Sequence, residues 1–164
     1  MRSRPAGNSP LASGVLSFGG IGFVRGPSGT YASLATAAII VAVHGAGPAS
    51  DAIAVLLAVV LGSLATVLLG NGLIGPDGHG DPSWVVTDEV AGQGLALLVA
   101  GFSPHRGVFT TVAAFLLFRA FDIWKPGPIG AAEKLPGGIG ILCDDLLAGL
   151  VAGALAFGVG ALVP

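Results

Sequence analysis

Two pairs of adjacent acids, Asp88-Glu89 and Asp144-Asp145, each open an apolar stretch of the chain. A carboxylate at mid-membrane depth costs about 2.5–3.5 kcal/mol on insertion scales, so paired acids need an interfacial position or a partner. Two like charges about 4 Å apart repel by roughly 4 kcal/mol at an effective dielectric of 20. A face that gathers four or five acids therefore calls for a cation. Oxygen donors select a hard divalent ion, Mg²⁺ foremost. The competing reading of each pair is an interfacial polar cap on a helix.

Phe118-Arg119-Ala-Phe-Asp122-Ile-Trp124-Lys125-Pro126 supplies positive charge beside an acid. In a helix Arg119 and Asp122 share a face at i, i+3, Lys125 follows, and Pro126 and Pro128 close the helix. Arg119 as a fork and Lys125 as a point charge make a phosphate clamp. The same residues also read as a juxtamembrane basic anchor with an interfacial Trp. Asp77, His79 and Asp81 lie in a Gly- and Pro-rich loop. There His79 is a candidate acid or base, and Asp81-Pro82 reads as N-cap plus N1 of a following helix or as a further metal contact. Ser28 or Thr30 could cap the helix that starts there, or Thr30 could join free N–H groups in holding phosphate.

These groups must be positioned by helices in lipid. Of 164 residues, 53% are hydrophobic and only 10% charged, against about 25% charged in soluble domains. The length predicts one domain over 1–164. Residues 52–75 (with Asp51 as N-cap) and 146–163 read as clear spans, 27–44 as a just sufficient one, and 84–103 and 105–121 as weaker ones. Residues 11–24 are glycine-broken and read as a short interfacial or re-entrant piece. The expected fold is all-α, a multi-pass helical membrane bundle of four or five spans. Gly149 and Gly153 form a small-xxx-small pattern for close helix contact.

With the amino terminus inside, Arg2, Arg4, Arg25, Arg119, Lys125 and Lys134 fall on the inner side and only Arg106 outside. The acids, which did not enter that count, then converge on the same inner face. His44 and His105 fall outside. Seven basic residues and a net charge of −2 give no stripe for nucleic acid. Cys143 stands alone, which excludes an internal disulfide. A Cys-x5-Arg thiolate loop, an Asp-x-Asp nucleophile pair and a phosphate-binding Gly-x4-Gly-Lys-[Ser/Thr] loop are all missing. A small ion- or proton-coupled transporter is the rival reading, though a carrier should hold its acids near the bilayer midplane.

Four blocks together resemble the phosphatidylglycerophosphatase A family over about residues 18–157. They are Pro27-Ser28-Gly29-Thr30-Tyr31-Ala32-Ser33-Leu34, Asp81-Pro82-Ser83-Trp84-Val85-Val86-Thr87-Asp88-Glu89-Val90-Ala91-Gly92, the Phe118–Ile129 stretch, and Gly137-Gly138-Ile139-Gly140-Ile-Leu-Cys-Asp144-Asp145-Leu-Leu-Ala-Gly149. The last two are specific in order and spacing. Ala32, Gly127 and Gly130 depart from the family pattern, which bears on headgroup contacts and leaves the carboxylates intact.

The resemblance implies a Mg²⁺-dependent enzyme that hydrolyses the phosphomonoester of phosphatidylglycerophosphate, a phospholipid in the membrane, to phosphatidylglycerol and phosphate. It implies a bacterial cytoplasmic (inner) membrane protein with its site on the cytoplasmic side. On that basis Asp88, Glu89, Asp144 and Asp145, with Asp122, are expected to hold one or two Mg²⁺ ions. Lys125, helped by Arg119, is expected to neutralise the transferred phosphoryl group. Direct attack by water and an aspartyl-phosphate both remain open, as does oligomeric state, a homodimer included.

Overall fold

The computed structural model describes residues 9–43, 48–70, 82–101 and 107–162. Within them lie seven helices and no strand: α1 (Pro10–Leu16), α2 (Ser28–Val43), α3 (Pro48–Gly70), α4 (Thr87–Val99), α5 (Gly107–Trp124), α6 (Pro128–Ala132) and α7 (Gly138–Leu162), with a 3₁₀ turn at Ile21–Phe23. Among the described residues two stretches are long and apolar enough to cross a membrane, Ala52–Gly70 and Gly138–Leu162, while Ser28–Val43 is apolar but shorter.

The distribution of side chains is inverted relative to a water-soluble bundle. Leu56, Leu57, Leu61, Leu64 and Leu68 of α3, and Leu150, Leu155 and Phe157 of α7, point outward. Inside, small and polar residues such as Ala91, Ala148, Ser33 and Thr66 are buried. Small interior residues let helices approach closely where lipid supplies no hydrophobic drive for them to associate.

α4 is the central element, packed against α2, α3, α5 and α7. At 1.5 Å per residue its thirteen residues reach about 20 Å, short of a hydrocarbon core about 30 Å thick. Its contact with α7 is nearly backbone to backbone. A Cβ on Gly92 would meet the Asp145 carbonyl at 2.7 Å, one on Gly149 would run into the Gly92 carbonyl, and one on Gly153 would meet the Ala96 carbonyl at 2.6 Å. The small-residue pattern of α7 is thus a helix contact, and it brings the two acidic pairs together.

The amino-terminal segment braces the start of α4. Val86 donates its N–H to the Leu16 carbonyl at 2.9 Å, Phe23 stacks on Trp84 at 5.4 Å, and the Ser28 hydroxyl donates to the Ser83 carbonyl at 2.7 Å. Thr66 of α3 and Thr87 share a hydrogen bond of 2.8 Å.

Several expected boundaries move. Asp51 lies inside the first turn of α3, which begins at Pro48, so it is not the N-cap. Pro82 does not open a helix: its carbonyl accepts from Val85 N–H in a turn, and α4 starts five residues later at Thr87. The Ser28 hydroxyl is committed to Ser83 and does not cap α2. α7 begins at Gly138, eight residues before the expected 146, which places Asp144 and Asp145 in its second turn. Gly140 has no room for a side chain, because a Cβ there would run into the Leu135 carbonyl.

Candidate active site

Asp88 and Glu89 occupy the first turn of α4, and Asp145 faces them from α7. One carboxylate oxygen from each of the three lies within 4.8 Å of the others. Asp88 and Asp145 are each 3% exposed. Successive helical residues point about 100° apart, so Asp144 cannot share the direction of Asp145. It turns instead to Lys125, whose ammonium donates to it at 2.5 Å and to Glu133 at 2.8 Å. Arg119 pairs with Asp122 across one turn of α5, and Asp122 in turn neighbours Asp145.

The site thus has two parts. Asp88, Glu89 and Asp145 converge, with Asp122 and Arg119 alongside, while Lys125 joins Asp144 to Glu133 at its edge. α2 starts against the first part: a Cβ on Gly29 would run into the Glu89 carboxylate and lie 3.2 Å from Arg119 Nη1. Thr30 is the next residue of α2 and is half-buried. His79, Asp77 and Asp81 lie outside the described residues, as do His44 and His105.

Across both parts six acids face two bases, a formal net charge of −4 (Asp88, Glu89, Asp122, Glu133, Asp144 and Asp145 against Arg119 and Lys125). Such an excess in a mostly buried site is costly without a further cation. Mg²⁺ binds oxygen at about 2.1 Å, so its ligand atoms lie up to about 4.2 Å apart. Three carboxylate oxygens within 4.8 Å need only small side-chain rotations to fit.

Lys125 lies just beyond α5 with φ +46°, a left-handed conformation uncommon away from Gly. Burial disfavours its charge, but the hydrogen bonds it donates to Asp144 and Glu133 outweigh that and push its pKa above the usual lysine value. The ammonium is retained.

Glu133 and Gln93 were passed over in the sequence. Glu133 stands beyond the proline turn with no spacing that ties it to Lys125. Gln93 carried a signal, the chain's single glutamine set four residues from Glu89 within an apolar stretch. It is fully buried, and neither end of its amide meets a protein partner among the described residues. Polar character therefore continues one turn into the bundle.

The fold and site define an all-helical protein with an apolar exterior and an acidic site, suited to a divalent cation, at one end of its helices. The chain belongs to the phosphatidylglycerophosphatase A family, whose description matches it over residues 14–160. It is 31% identical over 105 residues to Escherichia coli phosphatidylglycerophosphatase A, covering 63% of this chain and 59% of that one. It is 39% identical over 87 residues to the Haemophilus influenzae protein of the same name, covering 52% and 50%. A Bacteroides thetaiotaomicron protein described as a candidate phosphatidylinositol-3-phosphatase is 41% identical over 92 residues, covering 56% and 57%. The matches span about half to three-fifths of these relatives. No solved structure matches the chain.

Proposed function

We propose that this protein hydrolyses the phosphomonoester of phosphatidylglycerophosphate, releasing phosphatidylglycerol and phosphate, with Mg²⁺ required. The convergence of Asp88, Glu89 and Asp145 beside Arg119 carries this reading, in a chain of the phosphatidylglycerophosphatase A family. Asp88, Glu89 and Asp145 would hold the ion, with Asp122 as a further ligand, while Asp144 is turned to Lys125 and keeps a buried Oδ1 with no hydrogen-bond partner. When bound, Mg²⁺ supplies charge neutralisation at the phosphoryl oxygens.

The remaining work falls to the protein's side chains. Arg119 has one arm on Asp122 while its buried Nε meets no partner, and that donor suits a phosphoryl oxygen. Lys125 offers a retained positive charge at the site edge, and Thr30 a hydroxyl at the start of α2. In hydrolysis a water oxygen bonds to phosphorus, the bond to the glycerol oxygen breaks, and the water proton passes to a carboxylate. The departing glycerol oxygen takes up a proton, for which His79 is the candidate donor. An aspartyl-phosphate route uses the same groups.

The Bacteroides relative's description favours a second substrate, phosphatidylinositol 3-phosphate, which shares the phosphomonoester and diacylglycerol parts. Phosphate release from both lipids and from phosphatidate, with and without Mg²⁺, decides between them. Phosphatidylglycerophosphate should be turned over fastest, and only with Mg²⁺. Release that is equal with and without the ion, or absent for every lipid, would overturn the assignment. The transporter reading is disfavoured because the acids sit at helix ends and not midway along them.

We further infer four or five spans in a bacterial cytoplasmic membrane with the site facing the cytoplasm. The inner–outer asymmetry of basic residues supports this. A cysteine at the exposed Lys134, in a Cys143→Ser background, should react with an impermeant thiol reagent only in inside-out vesicles. Reaction in intact cells would reverse the orientation.

A further inference from the structure

An apolar groove of about 430 Å³ runs between α2 and α3 and ends at the first turn of α4. Thr87, the residue before Asp88, lines its polar end, and Ile39, Val43 and Ala54 line its far end. On α3 it extends from Ala65 to Ala54, roughly 16 Å at 1.5 Å per residue. That is close to half of a hydrocarbon core about 30 Å thick, the depth of one leaflet. Its rim is open to the outside: Ile39, Leu57 and Leu61 are each at least half exposed.

We propose that this groove binds one acyl chain of the phosphomonoester lipid while its phosphate lies at Asp88, Glu89 and Asp145. The inference rests on the phosphatase reading above and adds a binding site for the lipid tail. Three features select an acyl chain over a partner helix. The groove ends at Thr87, the chain neighbour of Asp88, its length is that of one leaflet, and its exposed rim admits a chain sideways from the bilayer. Binding energy from such a remote, non-reacting part of a substrate is available to position the reacting phosphate.

The test uses the full-length protein in mixed micelles with Mg²⁺ and two forms of the lipid phosphomonoester, one with two long acyl chains and one with very short chains. Ala58→Phe fills the middle of the groove. Because Ala58 also touches the cluster of Ala32, Val86 and Val90, a second variant at the exposed far end, Ile39→Trp, guards against misfolding. Each variant should lower kcat/KM for the long-chain lipid about tenfold or more, the scale of a lost apolar pocket contact. The short-chain lipid should be turned over within about two- to threefold of wild type, which a merely structural defect would not spare. Ile39→Trp should also shorten the longest chain that improves kcat/KM. Equal loss on both substrates in both variants would mean that the groove supports the fold or seats a second copy, and would overturn the proposal. So would no loss on either substrate. Wild-type protein that releases phosphate from neither lipid would instead sink the phosphatase reading, and the groove assignment with it.

Discussion

Replacing Asp88 or Asp145 by Asn is expected to lower phosphate release by about 10³-fold or more, the upper range for loss of one preorganised transition-state contact. Asn keeps the shape and loses the charge. Removing a negative charge from a buried cluster of like charges also relieves repulsion. Without Mg²⁺ the variants should therefore melt at or above the wild-type temperature. Mg²⁺ should raise the wild-type melting temperature by mass action, about 2.7 kcal/mol at 100 times Kd, and raise that of the variants much less. Activity and ion-dependent melting are separate readouts. Near-normal turnover in either variant would reduce the acids to structural caps. Lost turnover with a full Mg²⁺ shift would remove them from the metal site while leaving them in the reaction.

The location of the acids was legible because charge is costly in an apolar chain. Four acids at the ends of hydrophobic stretches can be read without coordinates, as can the pairing of Arg119 with Asp122 at i, i+3. The division of labour between Asp144 and Asp145 was not legible. It depends on the rotation of α7, and the sequence pattern started that helix eight residues late. Gly138 and Gly140 look like loop residues by propensity, yet the close approach of the Leu135 carbonyl requires Gly140 within a helix. The link from Lys125 to Glu133 was hidden for a similar reason, since it spans a proline turn and α6 that no helical periodicity crosses. At the start of α4, the Asp-Pro signature was outweighed by tertiary contacts, the Leu16–Val86 and Ser28–Ser83 hydrogen bonds, which hold 82–86 out of the helix.

Lys125→Ala should reduce kcat by about 10²–10³, the loss expected when one preorganised charged donor to the phosphoryl group disappears. It should also destabilise the protein, because Asp144 is 4% exposed and loses the ammonium 2.5 Å away. Breaking a fully buried pair costs about 3–5 kcal/mol, and the cost here is smaller because Lys125 is one-quarter exposed. The two effects can be separated through the backbone. At φ +46° a glycine is unstrained, so Lys125→Gly removes the same charge while suiting the turn better than Ala. A clamp predicts equal kcat losses in the two variants, with Gly melting higher. Activity that tracks melting temperature would instead mean that Lys125 serves the fold. Lys125→Arg keeps the charge but replaces a compact ammonium with a planar fork, and should recover only part of the rate. An interfacial anchor needs nothing more than positive charge near the headgroups. Full activity in Lys125→Arg, with turnover in Lys125→Ala within a few-fold of wild type, would assign Lys125 to that role and leave Arg119 as the phosphate contact.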